Sequence, residues 1–175
     1  MFTSPISQFN KSLSALKEVK IKETLFLRSF TFAKLPLLWW ISPSVLEISA
    51  ENTVLKIPLT RRTKNHLNTM YFGALAMGGE AAVAVRTVFY ARKRKVKISF
   101  VFKDFTANFL RRAEGDVYFI SNEGRGVDEL IDLAIQTGQR QEKKFSSYAT
   151  VPSIDPAQKV AEFTVTLSVK PITKG

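Results

Sequence analysis

The chain has 175 residues, enough for one domain with a real core, and its 45% hydrophobic and 23% charged content is an ordinary globular balance. It has no cysteine and a single histidine, which excludes disulfides, thiolate metal sites and a Cys nucleophile and argues against zinc. The net charge of +11 calls for a polyanionic partner: nucleic acid, an anionic membrane surface or a phosphorylated small molecule. Residues Pro5 to Val19 can form a short helix, since Phe9, Leu13, Leu16 and Val19 fall at helical spacing. Helical pieces follow around Phe26–Phe32 and Leu35–Trp40, the second starting near Pro36. Arg28, Lys34 and Pro36 break up the apolar stretch from Leu25 to Ile41, so it reads as buried or interfacial rather than transmembrane. With no signal sequence evident, a cytoplasmic location is the expectation.

The period then changes to two. Leu46, Ile48 and Ala50 alternate with polar residues, Asn52 marks a turn, and Leu55, Ile57 and Leu59 alternate again. This predicts a hairpin whose second strand Pro58 places near an edge or at a bulge. From Met70 to about Val88 the chain predicts a long helix, apolar nearly all round and so buried on most faces. Gly78 and Gly79 each cost about 1 kcal/mol there relative to Ala, which points to close packing against a sheet or a symmetry mate. After the basic run Arg92–Lys95, a strand runs through Val96, Ile98, Phe100 and Phe102. It shifts phase to Phe105, Ala107 and Phe109, which predicts a bulge near Lys103–Asp104. Asp116 to Ser121 is a short strand. Val127 to Thr137 is an amphipathic helix that stops at Gly138, Lys144 to Val151 is a strand, and Ala161 to Lys170 is a long alternating one. This order suits an α+β protein with one antiparallel sheet, polar on its outer face, wrapped around a long helix. Residues 1–43 form a helical elaboration on a domain spanning 44–175.

The chemistry concentrates in one stretch, Asn65 to Glu80, N-H-L-N-T-M-Y-F-G-A-L-A-M-G-G-E. A polar turn leads into an Ala- and Gly-rich apolar helix that carries one carboxylate, Glu80. Burying an ionised carboxylate costs several kcal/mol or raises its pKa, so an acid here needs a reason. It is either a catalytic acid or base, or a structural acid paired with an arginine across a subunit interface. Asn65 is either a functional amide or a turn residue, and His66 reads as an exposed loop residue.

That element order and the Asn65–Glu80 segment resemble the hotdog fold, and within it the thioesterase-like branch near the phenylacetate-pathway (PaaI-type) acyl-CoA thioesterases. The resemblance covers roughly residues 44–170. Asn65, Thr69, Gly73 and Glu80 stand at the family's Asn, Thr, second motif Gly and carboxylate. Asn68 replaces a Gly, Tyr71 the motif His, and Phe72 the first Gly of the pair. The segment Phe109 to Val117, F-L-R-R-A-E-G-D-V, is similar to the family's strand-turn-strand after the helix.

The resemblance implies hydrolysis of an acyl thioester, with acyl-CoA or an acyl carrier protein as substrate. It needs no metal and no cofactor beyond coenzyme A as part of the substrate. Glu80 would be general base or nucleophile, and the backbone N–H groups of Phe72 and Gly73 at the helix start would hold the oxyanion. Asn65 would orient water or the thioester. Thr69 and Tyr71 would contact the substrate, though Tyr71 also suits simple packing. Glu80 lies about 11–12 Å along the helix from its start, so the site would form across a two-fold homodimer, or a dimer of dimers, with Glu80 of one subunit near the helix start of the other. Arg61, Arg62, Lys64, Arg111 and Arg112 are candidates for phosphate contacts. Fourteen Phe and two Trp favour a medium or long acyl chain. The alternative is a non-catalytic hotdog protein that binds acyl-CoA or lipid, which the changed Tyr71 and Phe72 positions favour. A dehydratase of the same fold would want a His beside the acid, and the one His precedes the helix. No nucleic-acid motif is present, so nucleic acid is not an expected partner. Contact with a membrane surface is compatible with the charge but is not the expectation.

Overall fold

The computed structural model of the protein describes residues 18–172. The helix expected from Pro5 to Val19 lies outside the described residues but for its last two, which are not helical. Two helices come first, α1 (Ile21–Lys34) and α2 (Pro36–Trp40). Leu35 separates them with φ −139°, because a residue before proline is pushed out of the helical region, and Pro36 then opens α2. α1 buries Thr24, Leu27 and Thr31. Its N-terminal end is tied to the sheet: Val45 N–H donates to Thr24 Oγ1 at 2.9 Å, and Lys20 N–H to the Val45 carbonyl at 2.8 Å.

The expected hairpin is β1 (Ser44–Ile48) with β2 (Thr53–Ile57). A bulge between Val45 and Glu47 lets Val45 and Leu46 both be buried, in separate clusters. The expectation that Pro58 marks an edge or bulge in β2 is corrected. β2 lies between β1 and β4, its register with β4 is regular, and the one bulge beside it is on β1. The strand simply ends at Ile57, so Pro58 owes the ladder no N–H. Its carbonyl accepts from Thr63 Oγ1 at 2.6 Å, and the next N–H, that of Leu59, donates to Asp116 Oδ1 at 2.9 Å.

α3 (Phe72–Lys93) is the long helix. It starts two residues later than expected, because the N–H groups of Met70 and Tyr71 donate to the carbonyls of Ala113 and Thr63, each at 2.8 Å. It also runs five residues further, through part of the basic run. Phe89 packs edge-on against Phe26 of α1 at 5.0 Å, Arg92 lies 4.0 Å over the same ring, and cations in a last turn suit the helix dipole. By length and composition α3 is apolar enough to cross a membrane, but here it is the core helix of the sheet. An added Cβ on Gly78 would come within 2.5 Å of Phe119 ring atoms, and one on Gly79 within 2.5 Å of Phe163. The glycines therefore let the helix lie directly on two buried rings, as close packing against a sheet requires. Ser147 Oγ, from the sheet, donates to the Gly79 carbonyl at 2.7 Å.

The remaining elements are β3 (Ile98–Phe109), β4 (Val117–Ser121), α4 (Gly124–Thr137), β5 (Gln141–Val151) and β6 (Asp155–Pro171). All pairings are antiparallel, in one six-stranded sheet of order β1-β2-β4-β5-β6-β3. The β3 register shifts between Phe102 and Phe105, the bulge expected at Lys103–Asp104. Asp104 uses it to accept from Thr166 N–H and Oγ1, at 3.0 and 2.6 Å. α4 ends at Gly138, whose φ of 68° is the left-handed cap glycine favours. α4 is clamped to α3 by the Arg86–Asp128 ion pair and by Tyr90 Oη donating to Asp132 at 2.7 Å. The result is the expected α+β hotdog arrangement, an antiparallel sheet curled around one long helix.

Candidate active site

The chain approaches α3 through a loop held by its own side chains. Thr60 and Thr63 close a turn, with Thr60 N–H donating to Thr63 Oγ1 at 2.8 Å. Asn65 closes the next one: its Oδ1 accepts from the N–H groups of Leu67 and Thr69 at 2.9 and 3.2 Å, and its Nδ2 donates to Thr69 Oγ1 at 3.0 Å. In this arrangement the Asn65 amide shapes the turn, and buried Thr69 is its partner. Asn68 has φ 60°, which explains why the family's glycine is replaced here by Asn, the side chain that best tolerates that region after glycine. Lys64 Nζ donates to Asn68 Oδ1 at 3.0 Å. His66 is exposed.

Tyr71 is the residue before the first helical turn, with ψ 138°, and its carbonyl accepts from Ala74 and Leu75 N–H at 2.9 and 3.1 Å. The N–H groups of Phe72 and Gly73 have no hydrogen-bond partner among the described residues. They are the free donors of a helix start and carry its partial positive charge. The Tyr71 ring lies over Gly73, where an added Cβ would meet its Cε1 at 2.5 Å. The Phe72 ring, exposed, stands 6.2 Å from that of Phe109 on β3. The donor pair is thus walled by three aromatic rings.

Two basic clusters distant in sequence arrive at this end of the helix. Tyr71 N–H bonds to Thr63, beside Arg61, Arg62 and Lys64, while Met70 N–H bonds to Ala113, beside Arg111 and Arg112. Arg61, Arg62, Lys64, Arg111 and Arg112 are all exposed. Arg111 and Arg112 line a cleft of ≈ 410 Å³ together with Glu114 and Asp155. Arg62 also lies 4.5 Å over the Trp40 ring.

Glu80 sits eight residues along α3 from Phe72, about 12 Å by helical rise. It lines an apolar groove of ≈ 840 Å³ whose walls are α1, α2, α3 and β3, including Leu27, Phe30, Leu38, Met77, Val85 and Phe102. The expectation that this acid is buried is corrected: Glu80 is solvent-exposed where it lines the groove, and partial desolvation by these neighbours raises its pKa above the ordinary carboxylate range. Glu80 has no hydrogen bond or ion pair among the described residues, and Lys34 is the one cation among the groove's lining residues. The buried pair on this helix is Arg86 with Asp128.

The structure therefore gathers Asn65, Thr69, Tyr71, Phe72, Gly73 and the basic residues at the start of α3, and sets Glu80 apart from them. Among the described residues no three His, Asp or Glu side chains come together as a metal site would need. Sequence reasoning missed that α1 and α2 form a wall of the Glu80 groove. The apolar run from Leu25 to Ile41 signalled burial but not against what.

A family model described as a domain of unknown function, DUF4442, matches residues 23–169, and so takes in α1 and α2 as well as the sheet. No curated protein matches the chain. Among solved structures, it is similar to one from Shewanella oneidensis named a "putative thioesterase". The TM-score is 0.71 at 14% identity, over 86% of this chain and 99% of that one. A protein of unknown function from Chlorobaculum tepidum gives TM-score 0.73 at 12% identity, over 87% and 96%. A thioesterase from Haemophilus influenzae gives 0.58 at 12%, over 82% and 89%. At such identities the likeness is one of fold, and the shared fold is the hotdog.

Proposed function

The chain belongs to the DUF4442 family, and from that premise we propose that it hydrolyses an acyl thioester, of coenzyme A or of an acyl carrier protein, with a medium or long acyl chain. The observation that carries this is Glu80: a carboxylate without a partner, its pKa raised, in an apolar groove large enough for an acyl chain. The thioesterases among the structural neighbours support the reaction class.

The reading requires a two-fold dimer. β3 is an edge strand with Val101, Phe105 and Phe109 exposed, and pairing it with its copy would cover a bare edge. Glu80 of one protomer then approaches the free N–H groups of Phe72 and Gly73 of the other. The ionised Glu80 removes a proton from water as the water oxygen bonds to the thioester carbonyl carbon. The carbonyl oxygen takes the displaced electron pair and is held by the two N–H groups. Collapse of that intermediate breaks the carbon–sulfur bond, and the sulfur recovers the proton from Glu80. Asn65 and Thr69 serve as positioning residues, fixing the turn that aims the helix start. Tyr71 and Phe72 border the acyl path. Arg61, Arg62, Lys64, Arg111 and Arg112 meet the phosphates of the substrate's far end.

A second reading, non-catalytic binding of acyl-CoA or lipid, is favoured by the Tyr71 ring lying over Gly73, which narrows access to the oxyanion donors. Free-thiol release across acyl-CoAs of increasing chain length separates the two. Hydrolysis predicts turnover that rises from acetyl to longer chains. Tight binding with no thiol release at any length favours the second reading.

A further inference from the structure

Beyond the hydrolase reading and independent of it, we propose that the protein docks on an anionic lipid surface through the outer face of the α1–α2 hairpin. α1 is apolar on two sides. Thr24, Leu27 and Thr31 bury one face against the domain. On the other, Ile21, Leu25 and Phe32 form an exposed stripe at helical spacing, continued on α2 by Leu37 and Trp40. Ile21, Phe32 and Leu37 are 70%, 64% and 75% exposed, a high exposure for apolar side chains of this size on two successive helices. Phe32 and Trp39 pack edge-on at 5.2 Å, so the tip of the hairpin is aromatic, the composition that sits at the headgroup level of a bilayer.

The charge around the stripe identifies the occupant. Residues 18–40 carry Lys20, Lys22, Arg28 and Lys34 against Glu18 and Glu23. Arg28 lies within the stripe by helical spacing. Arg62 reaches the hairpin from its own loop and stacks on Trp40 at 4.5 Å. Cations bordering exposed aromatic and aliphatic side chains on a helix are the pattern of an interfacial segment on anionic lipid. A second copy of the chain would bring the same positive charges against these and be repelled. A copy also has a different surface to use, the open β3 edge, whose backbone groups need a strand partner that a helical hairpin cannot offer. The hairpin also walls the Glu80 groove, through Leu35, Leu37 and Leu38, so Leu37 stands at the rim between the stripe and the groove. Where the hydrolase reading holds, an acyl chain leaving the bilayer would pass along the hairpin into the groove with little exposure to water.

The test is flotation of the full chain with two vesicle types, phosphatidylcholine alone and phosphatidylcholine with an equal part of phosphatidylglycerol. The expected result is binding to the second and little to the first, weakened as salt is raised. Leu25→Glu with Phe32→Glu, both exposed and neither lining the groove, should weaken binding about tenfold or more with an unchanged thermal melt. Lys20→Gln with Lys22→Gln should weaken it about fivefold per charge. Turnover of a soluble short-chain thioester should be the same in these variants as in the unsubstituted chain. Vesicle binding without any thioester turnover would keep the docking proposal and sink the hydrolase reading. Failure to float with anionic vesicles overturns the docking proposal. So does equal binding of the Leu25→Glu, Phe32→Glu variant. So does a fall in sedimentation mass in that variant with no change in flotation, which would assign the stripe to a second copy.

Discussion

Replacing Gly78 by Ala sets two known magnitudes against each other. In an exposed helix interior the change stabilises by about 1 kcal/mol, since Gly is that much the poorer helix former. Here the new Cβ would come within 2.5 Å of Phe119 Cε1 and Cε2, about 1 Å or more inside ordinary contact distance, where atoms meet at about 3.5–4.0 Å. Phe119 is fully buried and sits on β4, paired on both sides, so the ring has nowhere to move. Overpacking of this kind costs about 1–3 kcal/mol, and with the propensity gain of about 1 kcal/mol subtracted the net effect should run from about neutral to a loss of about 2 kcal/mol. For a domain of this size a loss at the upper end lowers Tm by about 4–8 °C. Urea titration followed by far-UV circular dichroism reads it directly. Phe119→Leu should cost less in a chain that already carries Gly78→Ala than in the parent, with a coupling of at least about 0.5 kcal/mol. A control is Gly126→Ala on α4, where the nearest atoms are Lys143 Nζ at 3.1 Å and Phe145 Cε1 at 3.2 Å. The lysine end can swing away and the Phe145 ring has to give only a few tenths of an ångström, so the helix-propensity gain of about 1 kcal/mol should offset the crowding and the change should stay within about 0.5 kcal/mol of neutral. If Gly78→Ala stabilises the protein as much as an exposed Gly→Ala does, the close approach of α3 to the sheet is refuted.

Three further outcomes follow from the structure. Asp128→Asn leaves Arg86 without its counter-charge at a contact where the side chains are only 11% and 18% exposed, and should cost about 2–3 kcal/mol in a urea titration. The Glu80 pKa is raised by desolvation, so the folded state holds that proton more tightly than the unfolded chain. Its contribution to stability is greatest below the ordinary glutamate range, falls as pH climbs from there through the raised value, and stays low above it. Glu80→Gln should therefore be at least as stable as the unsubstituted chain at neutral pH, and the advantage should vanish in acid; an acid-to-neutral series of thermal melts shows it. Because the working form of Glu80 is the anion, the acid limb of the activity profile should lie above the usual carboxylate range and be absent in any residual activity of Glu80→Gln.

Several features were legible in the sequence because they depend on short-range pattern. The phase shift between Phe102 and Phe105 marked a bulge that the ladder shows, Gly138 marked a helix end, and Pro36 marked a break between two helices. The pair Gly78–Gly79 could be read as close packing, though not that Phe119 and Phe163 were the partners. The features that escaped depend on tertiary context. Pro58 looks like an edge signal in a window of ten residues, yet it lies one residue beyond a central strand. The apolar pattern predicts a helix ending near Val88, but Phe26 of α1 gives Phe89 and Arg92 a surface to continue the helix on. Asn65 could be read as a functional amide or as a turn residue, and only the bonds to Leu67 and Thr69 show how its side chain is engaged. That Arg61–Lys64 and Arg111–Arg112 meet at one helix end follows from two backbone hydrogen bonds, at Met70 and Tyr71, which no local pattern announces. Glu80 stood out as an acid in an apolar helix, but the groove around it exists only once α1 and α2 have packed.

The central claim, that Glu80 is the reacting carboxylate of a thioester hydrolase, is tested most directly by thiol release from a long-chain acyl-CoA by the unsubstituted chain and by Glu80→Gln side by side. Gln keeps the size and hydrogen-bonding reach of Glu but neither accepts a proton nor attacks a carbonyl. The account predicts clear turnover in the first and a fall of about two or more powers of ten in the second, the scale of a lost general base, with no loss of thermal stability. Equal turnover in the two proteins would contradict it.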